Sequence, residues 1–394
     1  MKIDNLPTDT KRGYFVNFKR SGVWEDDPVI GATLKKNYTE DKIYPIVING
    51  EAKTLVIYGE HHHNSQGMSN RDDFSLKKPD TVSLRIALLG DSLTCGDQAP
   101  LLFNMGSILK ELIPKSEVLN FCVPAKGIDT MYARYVIDAK KYKPAVVFFN
   151  IYIDDIQRPF GGCQIETPNV TVNNGRIVIG PRKYPTLKDF YEKYQLAKYE
   201  SYFIKHILWV YDEHTRYSRN MRQGYDLFNV MLDDLKEQTK EQNQTFIVSL
   251  IQVGERPIKP IYREYYNKLV QLLKAKNVTF FDSEKYFETK RIAYRNQSFY
   301  YLQGIYKQDE IIGHFSPIGS ALFAQGMKNT LEDIGRVNKT INYNFANFDE
   351  NMQLLYLIPE DVNLQLQGYI RTISPFEFRD ANYTNNLRLD YLQG

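Results

Sequence analysis

The sequence predicts an α/β chain built on a parallel sheet sandwiched by helices, and three observations lead there. Leu84 to Leu89 ("LRIALL") is a short, mostly aliphatic run of the kind buried on both faces in a parallel sheet. Just beyond it the period becomes helical, with Leu101, Leu102, Met105, Ile108, Leu109 and Leu112 on one stripe, closed by Pro114. The same exchange of strand for helix then repeats along the chain, which implies right-handed βαβ units. With 394 residues, 43% of them hydrophobic and 13% aromatic, the chain can bury at least one large core with appendages.

Taken in order, residues 1–80 lack long helical periodicity, and "KIYPIVING" and "KTLVIYGEH" read as strands flanked by turns, giving a β-rich N-terminal segment. The α/β region spans 81–335. It reads as strand 84–89, a helix near 98–113, strand "EVLNFCV", a helix near 129–141 and strand "AVVFFNIYI". An insertion at about 160–190 reads as a hairpin, and Tyr-rich helices follow from about 187 to 241. Strand "TFIVSLIQV", helix "IYREYYNKLVQLLKAK", strand "VTFFD" and a last helix "SPIGSALFAQGMKNTLEDIG" complete the region. Residues 336–394 form a polar, Asn-rich extension with strand-like pieces such as "NMQLLYLI" and "LQLQGYIRTI".

Charge and composition exclude several function classes. A formal net charge of +3 on 394 residues, with no block of like charge, does not suggest nucleic acid as a partner. No window approaches the twenty apolar residues of a membrane span, and "MKIDNLPTDTKRGYF" has none of the apolar core of a signal peptide. Cys95, Cys122 and Cys163 lack zinc spacing and cannot all pair with one another, so small buried thiols are the expectation rather than a disulfide framework. Seven Asn residues (37, 169, 243, 277, 296, 338 and 382) start N-x-S/T triplets, several of which arise by chance in so Asn-, Ser- and Thr-rich a chain. In "GEHHHNSQG" (59–67), His61 and His63 would share a strand face that His62 cannot join. With no second cluster of ligands, an exposed polar loop is expected there, and neither metal nor cofactor is predicted. Aromatic-rich stretches such as "YEKYQLAKYESYF" could line a sugar or acyl site, although Tyr at helical spacing is more often packing.

The stretch "LRIALLGDSLTCGD" presents Ser92 between a central strand and a helix, where free backbone N–H groups favour a developing negative charge. Asp91 and Ser92 would equally serve as ordinary caps. "GDSL" after a strand, together with the late "GHFSPIGSALFAQ", resembles the GDSL or SGNH hydrolase family over roughly residues 80–335. The resemblance implies a flavodoxin-like three-layer α/β/α sandwich and a serine esterase. Its nucleophile would be Ser92, whose amide is also an oxyanion donor, and its glycine block, "NFCVPAKGIDT", would put Gly127 in the oxyanion loop. The third block falls at "YIDDIQR", where Asp154 stands in place of the family's oxyanion Asn. Three outcomes follow: a protonated Asp154 donates, Asn150 or another neighbour fills the hole while Asp154 turns to a structural role towards Arg158, or the site is inactive. The last block supplies His314 as base but has Ile311 at the acid position, with Asp309 and Glu310 just upstream as candidate acids. Otherwise His314 is merely the residue ahead of a helix started by Ser316 and Pro317.

The activity this implies is removal or transfer of a short acyl group, acetyl foremost, through an acyl-enzyme, with a small ester or an acylated glycan as substrate. The alternative is a degenerate SGNH domain that binds carbohydrate or lipid without turnover, which the altered positions 154 and 311 would explain. The layout also resembles bacterial SGNH proteins associated with polysaccharide acylation, which favours an extracytoplasmic location over the cytoplasm.

Overall fold

The computed structural model describes residues 23–48, 53–97, 101–160, 167–183, 202–251, 260–291, 314–315 and 317–339. The strands are β1 (Trp24–Asp27), β2 (Gly31–Leu34), β3 (Tyr38–Ile48), β4 (Lys53–His63), β5 (Leu84–Leu89), β6 (Ser116–Asn120), β7 (Val146–Tyr152), β8 (Thr167–Asn173), β9 (Arg176–Lys183), β10 (Thr245–Ile251) and β11 (Thr279–Asp282). The helices are α1 (Ser92–Cys95), α2 (Met105–Leu112), α3 (Ile128–Ile137), α4 (Tyr202–Glu241), α5 (Pro260–Ala275), α6 (Ser283–Arg291) and α7 (Pro317–Asp333).

Strands β11-β10-β7-β5-β6 form one five-stranded sheet in that order, and every neighbouring pair in it is parallel. The alternation of side chains along each strand decides which layer it feeds. Ile86, Leu88, Val146 and Phe148 pack with Met105, Ile108 and Leu109 of α2 and with Leu322, Phe323 and Met327 of α7. Ala87, Leu89, Val147 and Phe149 pack on the other face with Met131 and Tyr135 of α3, Phe228 and Leu232 of α4, and Leu269 of α5. Two apolar cores on opposite faces of one sheet make this an α/β/α sandwich. The chain leaves β5 for β6 on one side and then crosses to β7 on the other, so the loops after β5 and β7 leave the carboxyl edge for opposite faces, the arrangement at which open α/β sheets usually bind ligands.

The N-terminal residues form two antiparallel pairs, β1 with β2 and β3 with β4. The insertion is the antiparallel hairpin β8–β9. Several elements differ from the sequence reading. The helix expected near 98–113 is the shorter α2, preceded by a 3₁₀ turn at Leu101–Phe103, because Asn104 caps α2 by accepting from the Ser107 N–H at 2.7 Å. The short helix α6 was not anticipated, its sequence "SEKYFETKR" being almost wholly polar. Residues 336–339 of the extension are described; its strand-like pieces lie outside the described residues, as does Cys163.

The expectation of an exposed histidine loop at 59–67 is corrected. Strand β4 runs through His63, and His61 and His63 are buried side by side with their Nε2 atoms 3.1 Å apart. The cause is the partner strand: Tyr38 of β3 stacks on His63 at 5.3 Å, while His62 points away towards Thr39 and Glu60. Among the described residues no three His, Cys, Asp or Glu side chains group as metal ligands, and no helix is long and apolar enough to cross a membrane.

Candidate active site

Strand β5 stops at Leu89, and a side chain on the next residue, Gly90, is sterically forbidden: a Cβ would lie 1.9 Å from Thr94 Oγ1 and 3.1 Å from the Asn150 carbonyl oxygen. Glycine therefore lets the chain turn tightly against β7 and start α1 at once. Asp91 is the cap. Its Oδ1 accepts from the Leu93 N–H at 2.9 Å. Ser92, which follows it, takes no capping role. Its Oγ lies 2.6 Å from Nε2 of His314, a residue 222 positions further on, in the stretch just ahead of α7. Acid and serine, equivalent as caps in the sequence, thus divide their roles in the fold.

Burial pushes the His314 imidazole down to about 4, with nearby Asp91 acting against the fall and Arg158 adding to it. The ring is neutral at ordinary pH and can accept a proton at Nε2. Asp309 and Glu310, the candidate acids, lie outside the described residues.

Gly127 caps α3, accepting from the N–H groups of Thr130 and Met131 at 3.1 Å each. It is pressed against the loop after β7, since a Cβ would lie 2.7 Å from the Asp155 carbonyl oxygen and 2.8 Å from Arg158 Cβ. The glycine block and the third block are therefore in direct contact. Neither the Ser92 amide nor the Gly127 amide donates a hydrogen bond to another described residue.

Asn150 is fully buried in β7, and its Nδ2 donates to Met105 Sδ at 3.4 Å rather than to any group on α1. The amide weighed as a replacement oxyanion donor is thus turned into the core on the α2 side. Asp154, in the turn after β7, is an acceptor: it takes hydrogen bonds from Gln157 Nε2 at 2.6 Å, Tyr262 Oη at 2.9 Å and Arg158 Nε at 3.3 Å. Its neighbour Asp155 is wholly buried and receives the Tyr152 N–H at 2.9 Å.

The cysteine expectation is also corrected. Cys95, at the end of α1, and Cys122, just after β6, form a disulfide with Cα atoms 5.3 Å apart. Spacing along the chain gave no hint of it, because the pairing comes from β5 and β6 being parallel neighbours whose carboxyl-end loops lie side by side. The bond is buried, packed against Leu34 and Trp24 of the first hairpin.

Comparison with known proteins adds a distant likeness. No family model matches the chain, and no curated protein does. Among solved structures, a member of the lipolytic protein G-D-S-L family from Veillonella parvula is 12% identical, with 63% of this chain and 97% of that one covered and a TM-score of 0.34. An acetyl xylan esterase, AlAXEase, is also 12% identical, covering 63% of this chain and all of that one at a TM-score of 0.37. A catalytic mutant of an acetylxylan esterase from Geobacillus stearothermophilus is 16% identical over 66% of this chain and 98% of its own, again at 0.37. At such scores the likeness carries no argument for an activity.

Proposed function

We propose that the chain is a serine esterase or O-acyltransferase of the GDSL/SGNH type, acting through an acyl-enzyme on Ser92. The observation that carries the proposal is the 2.6 Å contact between Ser92 Oγ and His314 Nε2 at the carboxyl edge of a parallel sheet. A serine hydroxyl is a poor nucleophile until an imidazole within hydrogen-bond reach takes its proton.

In the proposed mechanism the neutral His314 takes the Ser92 proton as Oγ attacks the ester carbonyl carbon. The carbonyl oxygen becomes negative and is met by the N–H groups of Ser92 and Gly127. Collapse of the tetrahedral species breaks the bond to the alcohol, which leaves with the proton held by His314. Water, activated by the same imidazole, then releases the acyl group as the acid; a sugar hydroxyl in its place makes the reaction a transfer. Neither Asp154 nor Asn150 is assigned a donor role, because one accepts hydrogen bonds and the other is engaged by Met105.

A short acyl group, acetyl foremost, on a small ester or a glycan is the substrate class that the motif resemblance favours. The Cys95–Cys122 disulfide supports a place outside the cytoplasm, since such bonds persist in oxidising compartments. The test is release of acetate from p-nitrophenyl acetate and from acetylated oligosaccharides, with and without an added sugar acceptor. Turnover lost in Ser92→Ala supports the proposal; a folded wild type inert on every ester would favour a binding module.

A further inference from the structure

Arg158 touches all three loops that meet at Ser92. Its Nη1 donates to Asp91 Oδ2 at 2.9 Å and to the Lys126 carbonyl oxygen at 3.0 Å, and it also pairs with Asp155 Oδ1. Its Nε reaches Asp154 at 3.3 Å, and its guanidinium carbon sits 5.9 Å from the centre of the Tyr152 ring. Burial works against the charge, but Asp155, Asp91 and Asp154 outweigh it, so the guanidinium is held protonated well above the ordinary arginine range.

The two acceptors on the nucleophile and glycine loops are informative. Asp91 directly precedes Ser92, and Lys126 directly precedes Gly127. The Lys126 C=O and the Gly127 N–H belong to one planar trans peptide group and point in opposite directions, so a cation that fixes the oxygen fixes the direction of the N–H. On the other loop, Asp91 is gripped at both oxygens, Oδ1 by the Leu93 N–H and Oδ2 by Arg158, which leaves the start of α1 no freedom to turn. Because Gly127 also packs on Arg158 Cβ and on the Asp155 backbone, the two amides are set against a common support.

We propose that Arg158 is the positioning residue of the oxyanion site, aiming the Ser92 and Gly127 N–H groups at one point in place of the side-chain amide that the resembled family carries where this chain has Asp154. The proposal rests on Ser92 being the nucleophile. The rigid guanidinium plane keeps Nε on Asp154 while Nη1 reaches Asp91 and the Lys126 carbonyl, a fixed pair of nitrogens that a lysine ammonium, one nitrogen on a flexible stem, does not reproduce.

The experiment compares wild type, Arg158→Lys, Arg158→Ala and the charge-relieved pair Arg158→Ala with Asp155→Asn, all checked for cooperative thermal unfolding. The expected result is a fall in kcat on p-nitrophenyl acetate on the order of a hundred-fold, the usual cost of losing one aligned oxyanion donor, with KM little changed. Labelling of Ser92 by a fluorophosphonate slows in parallel, and millimolar guanidinium restores part of the kcat of Arg158→Ala, which a purely structural role would not allow. If any folded variant keeps wild-type kcat and labelling rate, Arg158 has no positioning role. A wild type that neither hydrolyses the ester nor takes the label instead overturns the reading of Ser92, and the role of Arg158 with it.

Discussion

The pH dependence expected of the proposed reaction follows from the setting of His314. An imidazole at its ordinary value of 6.5 would be only about 9% neutral at pH 5.5, whereas one pushed down to about 4 is about 97% neutral there. Since only the neutral ring can take the Ser92 proton, kcat/KM at pH 5.5 should nearly equal that at pH 7.5, against a roughly tenfold deficit for an unperturbed histidine. The acidic limb should have its midpoint near 4. The assay is hydrolysis of p-nitrophenyl acetate, whose charge does not change in this range, with nitrophenol read after quenching into alkali. Stability moves with the same proton. The folded value lies below the unfolded one, so the unfolded chain is protonated first as pH falls from 6.5 towards 4, and wild type should lose Tm across that window more steeply than His314→Gln. A midpoint at 6 to 7 would refute the argument that burial dominates and would show that a carboxylate on the imidazole restores its basicity.

Two further substitutions separate the remaining roles. Asp154→Asn, which restores the residue type of the resembled family, should change turnover far less than the hundred- to thousand-fold that creation of an oxyanion donor would bring, because that side chain is held by Gln157, Tyr262 and Arg158; a large gain in ester hydrolysis would contradict this. Cys122→Ala opens a loop closed over 27 residues, for which chain entropy predicts a loss of about 3.5 kcal/mol, read as a lower midpoint in thermal or urea unfolding; an unchanged midpoint would show that the hydrogen bonds between the β5 and β6 ends suffice.

The sheet was legible because its strands are short apolar runs and its helices are amphipathic, and those patterns reflect burial on two faces and on one. Ser92 and His314 could be singled out as a candidate pair because "GDSL" after a strand and "GHFSP" ahead of a helix together resemble a known family; the strand, glycine and acid alone fit an ordinary helix cap equally well, and the structure brings the two side chains to 2.6 Å. What sequence could not supply was contact across the fold. The Cys95–Cys122 bond, the stacking of Tyr38 on His63 and the reach of Tyr262 to Asp154 join residues whose separation carries no pattern. Arg158 was partly visible, four residues after Asp154, but its grip on Asp91 and Lys126 depends on three loops meeting at one edge. The direction of the Asn150 amide was likewise undetermined, since a strand residue at the carboxyl edge can face the crevice or the helix layer beneath it.

Activation of Ser92 by His314, on which the proposed function rests, is probed by incubating the native protein with a fluorophosphonate and mapping the adduct by mass spectrometry. Stoichiometric modification of the peptide carrying Ser92 is expected, absent in Ser92→Ala and slowed by orders of magnitude in His314→Ala. A folded wild type that remains unmodified, or that is labelled elsewhere with Ser92 untouched, would contradict it.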